Sequence, residues 1–185
     1  ALWPKEQSPD ARDWIRDHVS SGRIGGAVFR LRLPAGGVPA GQAIREDQVR
    51  LTFAYDGADI LAYDGLPVIH AARGAGGLLG DEYGMNVQSA SIEGIGLSQG
   101  LVQIPRLAGA HKRIYVDGRA AGDARQILAV VDGSTGGMAR RNGFDPARLG
   151  GQGEVAFSLS RYLESGPGDF RVAYQGVVKN AKVSG

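Results

Sequence analysis

Cysteine is missing from this chain of 185 residues, which excludes disulfides and thiolate chemistry and suits a cytoplasmic or a periplasmic protein equally well. Net charge is nearly missing too: 21 Lys and Arg stand against 19 Asp and Glu. The two signs are interleaved, so no nucleic-acid footprint stands out and no nucleic-acid partner is expected. No apolar run of about eighteen residues occurs, so no segment reads as a membrane-spanning helix. The opening "ALWPKEQSPD" lacks a signal-peptide pattern, and both ends read as cut, so the chain is expected to be a piece of a larger protein. Its length suits one domain and is enough to bury a core. The residue present in excess is glycine, 30 in all, scattered through the apolar segments without a collagen period or a linker block. That distribution points to many short strands and turns.

A helix is expected from Ser8 to Gly22, with Ser8 as cap, Pro9 at the first helical position and Gly22 as the left-handed terminator. Ala11, Trp14, Ile15, His18 and Val19 form its apolar stripe, and Trp14 and His18 read as packing residues. The period then changes to two. Ala27, Phe29, Leu31 and Leu33 alternate with Val28, Arg30 and Arg32, and Val49, Leu51, Phe53 and Tyr55 alternate with Arg50, Thr52 and Ala54. Further strands are expected at 58–63, 68–73, 85–92, 101–107, 113–121, 154–163 and 170–178, and a second helix at 123–131 with Asp123 as cap. Strands joined by short turns, with two helices, imply a mainly β (α+β) fold: a curled antiparallel meander, either an open groove or sandwich-like. One module is expected over 1–185, with an entry helix (1–22), a first strand block (23–121), and a helix plus second strand block (122–185).

The tetrapeptide Ala-Tyr-Asp-Gly occurs twice, at 54–57 and 62–65. Asp-Gly favours the positive φ of a tight hairpin, so both copies are expected to turn the chain, the first of them between Tyr55 and Ala58. A metal site would need carboxylates converging on one point, whereas Asp56, Asp59 and Asp64 are spread over a turn and a strand. "GLSQG" (96–100) fits the nucleophile-elbow pattern, but a strand-like "LVQIPRL" follows instead of a helix. No acid lies between Ser98 and His111, the next histidine, so the stretch reads as a bend between strands. The glycine clusters "RGAGGLLGDEYG" and "GSTGG" break the phosphate-loop patterns and read as loops or bulges. His18, His70 and His111 are far apart. No catalytic residue, metal site or cofactor is expected, and the chain is not expected to be an enzyme.

Two longer stretches carry a resemblance. "WPKEQSPDARDWIRDHVSSGRIGGAVFRLRLP" (3–34) gives a Trp-Pro, a helix and a glycine-marked entry into a strand. "VDGRAAGDARQILAVVDG" (116–133), followed by "NGFDPARLGGQGEVAFSLSRYL" (142–163), gives a strand, a short helix, a Gly-Phe-Asp-Pro turn and a Leu-Gly-Gly lead into a new strand. In order and spacing these resemble an internal segment of AsmA-like bacterial envelope proteins of the YhdP type, and "RLTFAYDGADILAYDGLPVIHAARGAGGLLGD" (50–81) is similar to the part between them. The resemblance implies a periplasmic location, tethering to the inner membrane through a segment outside this chain, and neighbouring segments of the same larger protein as partners. It also implies support of phospholipid transport to the outer membrane, and of outer-membrane integrity, along a curled apolar β-groove.

On that reading Phe29, Leu31, Val49, Leu51, Phe53, Val155, Phe157 and Leu159 are the candidate lipid-contacting residues, sharing one face and touching phospholipid acyl chains. Strands about 4.8 Å apart give roughly 45 Å of groove for about ten strands. Each methylene buried there is worth ~0.8 kcal/mol. The alternative is a non-catalytic β-sandwich scaffold or interaction module assisting outer-membrane assembly, its apolar faces all internal.

Overall fold

The computed structural model describes residues 13, 16–39, 42–61, 67–164 and 171–183. It is one eight-stranded antiparallel sheet in strict sequence order: β1 (Val19–Leu31), β2 (Val49–Ile60), β3 (Ile69–Leu79), β4 (Glu82–Ile92), β5 (Ile95–Ile104), β6 (Arg113–Asp123), β7 (Leu149–Tyr162) and β8 (Arg171–Val183). The sheet stays open, since β1 and β8 each have a partner on one side alone. Strand residues outnumber helical ones several-fold, the mainly-β meander expected from the period-two series. It runs unbroken through both strand blocks.

Between β6 and β7 stand α1 (Ala124–Ser134), the short α2 (Met138–Arg141) and a 3-10 turn, Pro146–Arg148. Asp123 caps α1 as expected, its carboxylate accepting from the N–H groups of Arg125 (2.9 Å) and Gln126 (3.3 Å). The helix continues three residues past the expected Val131, to Ser134. Asp132, fully buried in α1, accepts from the Ala139 N–H at 2.7 Å and lies 3.2 Å from the Arg140 guanidinium, which ties α2 down.

The glycines act differently from the sequence expectation in three places. The first helix ends at His18; Val19 to Gly22 belong to β1, where Gly22 approaches the Ala58 backbone too closely for a side chain. Residues 1–12, 14 and 15 lie outside the described part, as does the second Asp-Gly at 64–65. The first Asp-Gly is no hairpin: Asp56 and Gly57 lie inside β2, Gly57 has φ +66°, and the pairing with β3 slips between Tyr55 and Ala58. It is a β-bulge, because positive φ serves an extra residue within a strand as well as a turn. The two-residue hairpins fall elsewhere. Gly80-Asp81 joins β3 to β4 with φ +59° at Gly80, and Glu93-Gly94 joins β4 to β5 with positive φ at both residues. "GLSQG" likewise is not a bend between strands but the body of β5, with a bulge marked by Gln99 at φ +51°.

A small core gathers Tyr55, Ala58 and Ala72, with Phe53, Ile60, Ile69, Met85 and Ala90 packed around them. The Tyr55 hydroxyl donates to the Asn86 carbonyl at 2.7 Å, so its one polar atom is satisfied.

Candidate apolar sheet face

Within a strand, alternation decides which side chains share a side; between strands, only register can do so. The pairings put Phe29 opposite Leu51 and Leu31 opposite Val49. From β2 the same face continues through Leu51 to Leu78 and through Phe53 to Gly76. It passes on to Tyr83 and Met85 in β4, then to Ile104 and Val102 in β5. Val102 faces Val116, which faces Leu159, which faces Val172. Gly118 faces Phe157, and Phe157 faces Tyr174, while Val155 stands between Ala120 and Gly176. All eight candidate residues therefore lie on one face, joined by a row that crosses the whole sheet. Eight strands at about 4.8 Å make it roughly 34 Å wide.

Glycines interleave with the large side chains. A Cβ on Gly118 would lie 2.6 Å from the Phe157 ring, and one on Gly176 would lie 2.6 Å from Val155 Cγ2. One on Gly76 would lie 3.0 Å from the Phe53 ring. Each bulky side chain thus lies flat over the glycine of its neighbour, and this mutual shielding half-buries the face without a second sheet. Val49 is buried; Leu51, Phe53, Val155, Phe157 and Leu159 are half-buried; Phe29 and Leu31, on the edge strand, are 58% and 45% exposed.

Charge is kept off this face. From Val49 to Tyr55, Gly74 to Leu78, Tyr83 to Val87, Gly100 to Ile104, Ile114 to Ala120 and Gly153 to Leu159, the residues on it are apolar, aromatic or glycine, and Arg161 stands at its rim opposite Ile114. Desolvation pushes the Tyr55 phenol up to about 12 and raises that of Tyr83, so both stay neutral at ordinary pH. The opposite face carries Arg30, Arg50, Asp117, Arg119, Glu154 and Lys179.

One end of the apolar face is covered. Helix α1 lays Ala124 and Ile127 over Gly153, whose Cβ would meet Ile127 Cδ1 at 3.0 Å. Between Leu128 and Val131 of the helix and Val155, Tyr174 and Val178 of the sheet remains a recess of about 190 Å³. Ser134 and Tyr174 share a hydrogen bond of 2.8 Å beside it. The members contributed by β3 to β6 were not singled out from the sequence, because Gly74, Gly76, Gly100 and Gly118 interrupt their apolar series.

The sequence motifs with chemical overtones do not assemble. Ser98 has Ser89 and Arg119 as cross-strand neighbours, while the His111 ring stands edge-on to Tyr162, centroids 6.1 Å apart. His70 approaches Asp59 at 3.4 Å; accepting the Ala71 N–H lowers the Asp59 carboxyl below its usual range. Asp56 pairs with Arg73 at 3.1 Å. Among the described residues no group of three His, Asp or Glu side chains is placed to hold a metal, and no helix is long and apolar enough to cross a membrane. A cluster the sequence did not reveal lies on the polar face. There the Arg113 guanidinium sits 5.4 Å and 5.2 Å from the Tyr115 and Tyr162 rings and donates to Ser160 Oγ at 2.9 Å. Its parts come from strands about fifty residues apart, so no local pattern announced it.

Compared with protein-family models, with curated proteins and with solved structures, the chain matches none.

Proposed function

We propose that this chain is a β-groove segment of an AsmA-like periplasmic protein, lending its apolar face to phospholipid acyl chains on their way between inner and outer membrane. The observation that carries the reading is the uncharged row from Phe29 through Leu51, Tyr83 and Ile104, and from Phe53 through Met85, Val102, Val116 and Leu159 to Val172. A sheet with one apolar face ordinarily buries it against another layer. Here α1 covers one end and, among the described residues, no second layer covers the rest: its side chains are half-buried by one another in the middle of the sheet and exposed at Phe29 and Leu31, a contiguous apolar surface of the kind that marks an apolar ligand or partner. Acyl chains suit it: they need no hydrogen bonds, and each methylene removed from water contributes ~0.8 kcal/mol. A sandwich scaffold would bring a second sheet onto this face, and the eight described strands belong to one.

Photo-crosslinking amino acids at Phe29, Leu51 and Phe157, in cells expressing the protein, test the reading. Phospholipid captured at all three, with none captured from Thr52 or Ser158 on the opposite face, is the expected result. Capture of protein alone, or of nothing, would replace acyl chains by a scaffold partner.

A further inference from the structure

On the reverse of the sheet, at the β1–β2 end, four arginines meet two carboxylates. The register places Arg30 directly opposite Arg50, and neighbouring pairs on either side, Phe29 with Leu51 and Leu31 with Val49, show the ladder to be regular there. Directly opposed side chains have their Cβ atoms about 5 Å apart, and like charges so placed repel. Arg32 follows Arg30 on the same side, anchored by its N–H to the Gln48 carbonyl at 2.7 Å.

The local carboxylates do not neutralise the group. Asp47 accepts from the Arg45 guanidinium at 2.8 Å, and Glu46 lies 3.4 Å from Arg50. Among the described residues Arg30 and Arg32 have no carboxylate within ion-pair distance, although the Arg32 charge, after the hydrogen bond and charge of Arg45, helps to hold the Asp47 carboxyl below its usual range. Arg30, Arg32, Arg50, Glu46 and Asp47 surround a recess of about 320 Å³. The recess is shallow and open to solvent, wide enough for a tetrahedral oxyanion to reach the guanidinium groups while keeping part of its hydration shell.

We infer that this recess binds a phosphate group through Arg30, Arg32 and Arg50. Guanidinium forks match phosphate oxygens two at a time, and an anion between Arg30 and Arg50 turns a repulsive pair into two attractive ones. Glu46 steadies Arg50, Asp47 steadies Arg45 beside the recess, and the two carboxylates limit the negative charge the site accepts. The site lies on the face opposite the apolar row and does not depend on what that row carries. Its phosphate has two sources, free phosphate or the headgroup of a lipid reaching over the β1 edge, where Phe29 and Leu31 are exposed.

Calorimetric titration with inorganic phosphate, against chloride at matched ionic strength, tests the site. The expected result is phosphate binding that Arg30→Gln/Arg32→Gln weakens at least tenfold, with the melting temperature of the phosphate-free variant unchanged or higher because the opposed charges are gone. Arg32→Gln alone, which leaves both strands intact, is expected to weaken binding several-fold and serves if the double variant fails to fold. Flotation with phosphatidylglycerol and phosphatidylcholine vesicles separates the sources. Arginine-dependent recruitment to phosphatidylglycerol, competed by inorganic phosphate, assigns a lipid headgroup; phosphate binding without recruitment assigns the free ion. No preference for phosphate over chloride, or a preference the variants retain, overturns the inference.

Discussion

Tyr55 shows how one residue serves an open sheet. Its ring lies on the apolar face beside Phe53, centroids 6.5 Å apart, and its hydroxyl reaches across β3 to the Asn86 carbonyl in β4. Tyr55→Phe keeps the ring and removes that hydrogen bond, so a loss of about 1 kcal/mol is expected in urea unfolding at pH 7. The phenol, raised from 10.0 to about 12 in the fold, also sets an alkaline limit. Between those values the unfolded chain loses the proton and the folded one keeps it, so the contribution is complete below pH 10 and fades as pH rises through 12. Wild type and Tyr55→Phe should therefore converge and then cross in stability as pH rises through that window; a constant difference would show that the phenol is not desolvated.

At the scale of elements, α1 depends on its cap and on the strands beneath it. Eleven residues are too few for a stable isolated helix, so packing of Ala124 and Ile127 on Gly153 and capping by Asp123 must supply the rest. Asp123→Ala removes both cap hydrogen bonds and is expected to cost about 1 kcal/mol in denaturant unfolding. Hydrogen exchange should locate the loss in 124–134 and leave β2 to β4 protected. Asp123 was legible as a cap because it directly precedes a 3.6-period series. The end of the first helix was not legible: Val19 continues its apolar stripe, but it also begins a strand that pairs with β2, and the strand prevails because each residue then gains ladder partners.

Among the described residues the whole molecule is one sheet, covered by α1 at one end, with β1 and β8 paired on one side alone. β1 and β8 run 13 residues each, and their charged side chains are all basic: Arg23 and Arg30 in one, Arg171, Lys179 and Lys182 in the other. Like charges discourage the β8 edge of one copy from pairing with the β1 edge of another, a known protection of open sheets. The large apolar face tests differently from a closed core. Leu51→Asp or Phe157→Asp places a carboxylate where water can still reach it, so each variant is expected to fold with a loss of about 1–2 kcal/mol, well below the cost of an unpaired charge in a dry interior. Both should lose lipid crosslinking. Circular dichroism of an unfolded chain for either variant would show that the face is covered in the native protein.

Composition and periodicity by themselves determined that this chain is a β-meander with helix α1 after β6, and which side chains alternate within each strand, because those are local properties of backbone sterics and period. They also placed Phe29 with Leu31, Leu51 with Phe53, and Val155 with Phe157. That these three groups belong to one face was settled by register, since bulges near Gly26, Gly57 and Gln99 each insert residues that shift every pairing beyond them. The role of Asp56-Gly57 was likewise undetermined locally: positive φ fits a hairpin and a bulge alike, and pairing of the flanking residues with β3 selects the bulge. Whether the apolar row meets a second layer is a question of the complete sheet, and the opposition of Arg30 to Arg50 arises only when two strands twenty residues apart come into register.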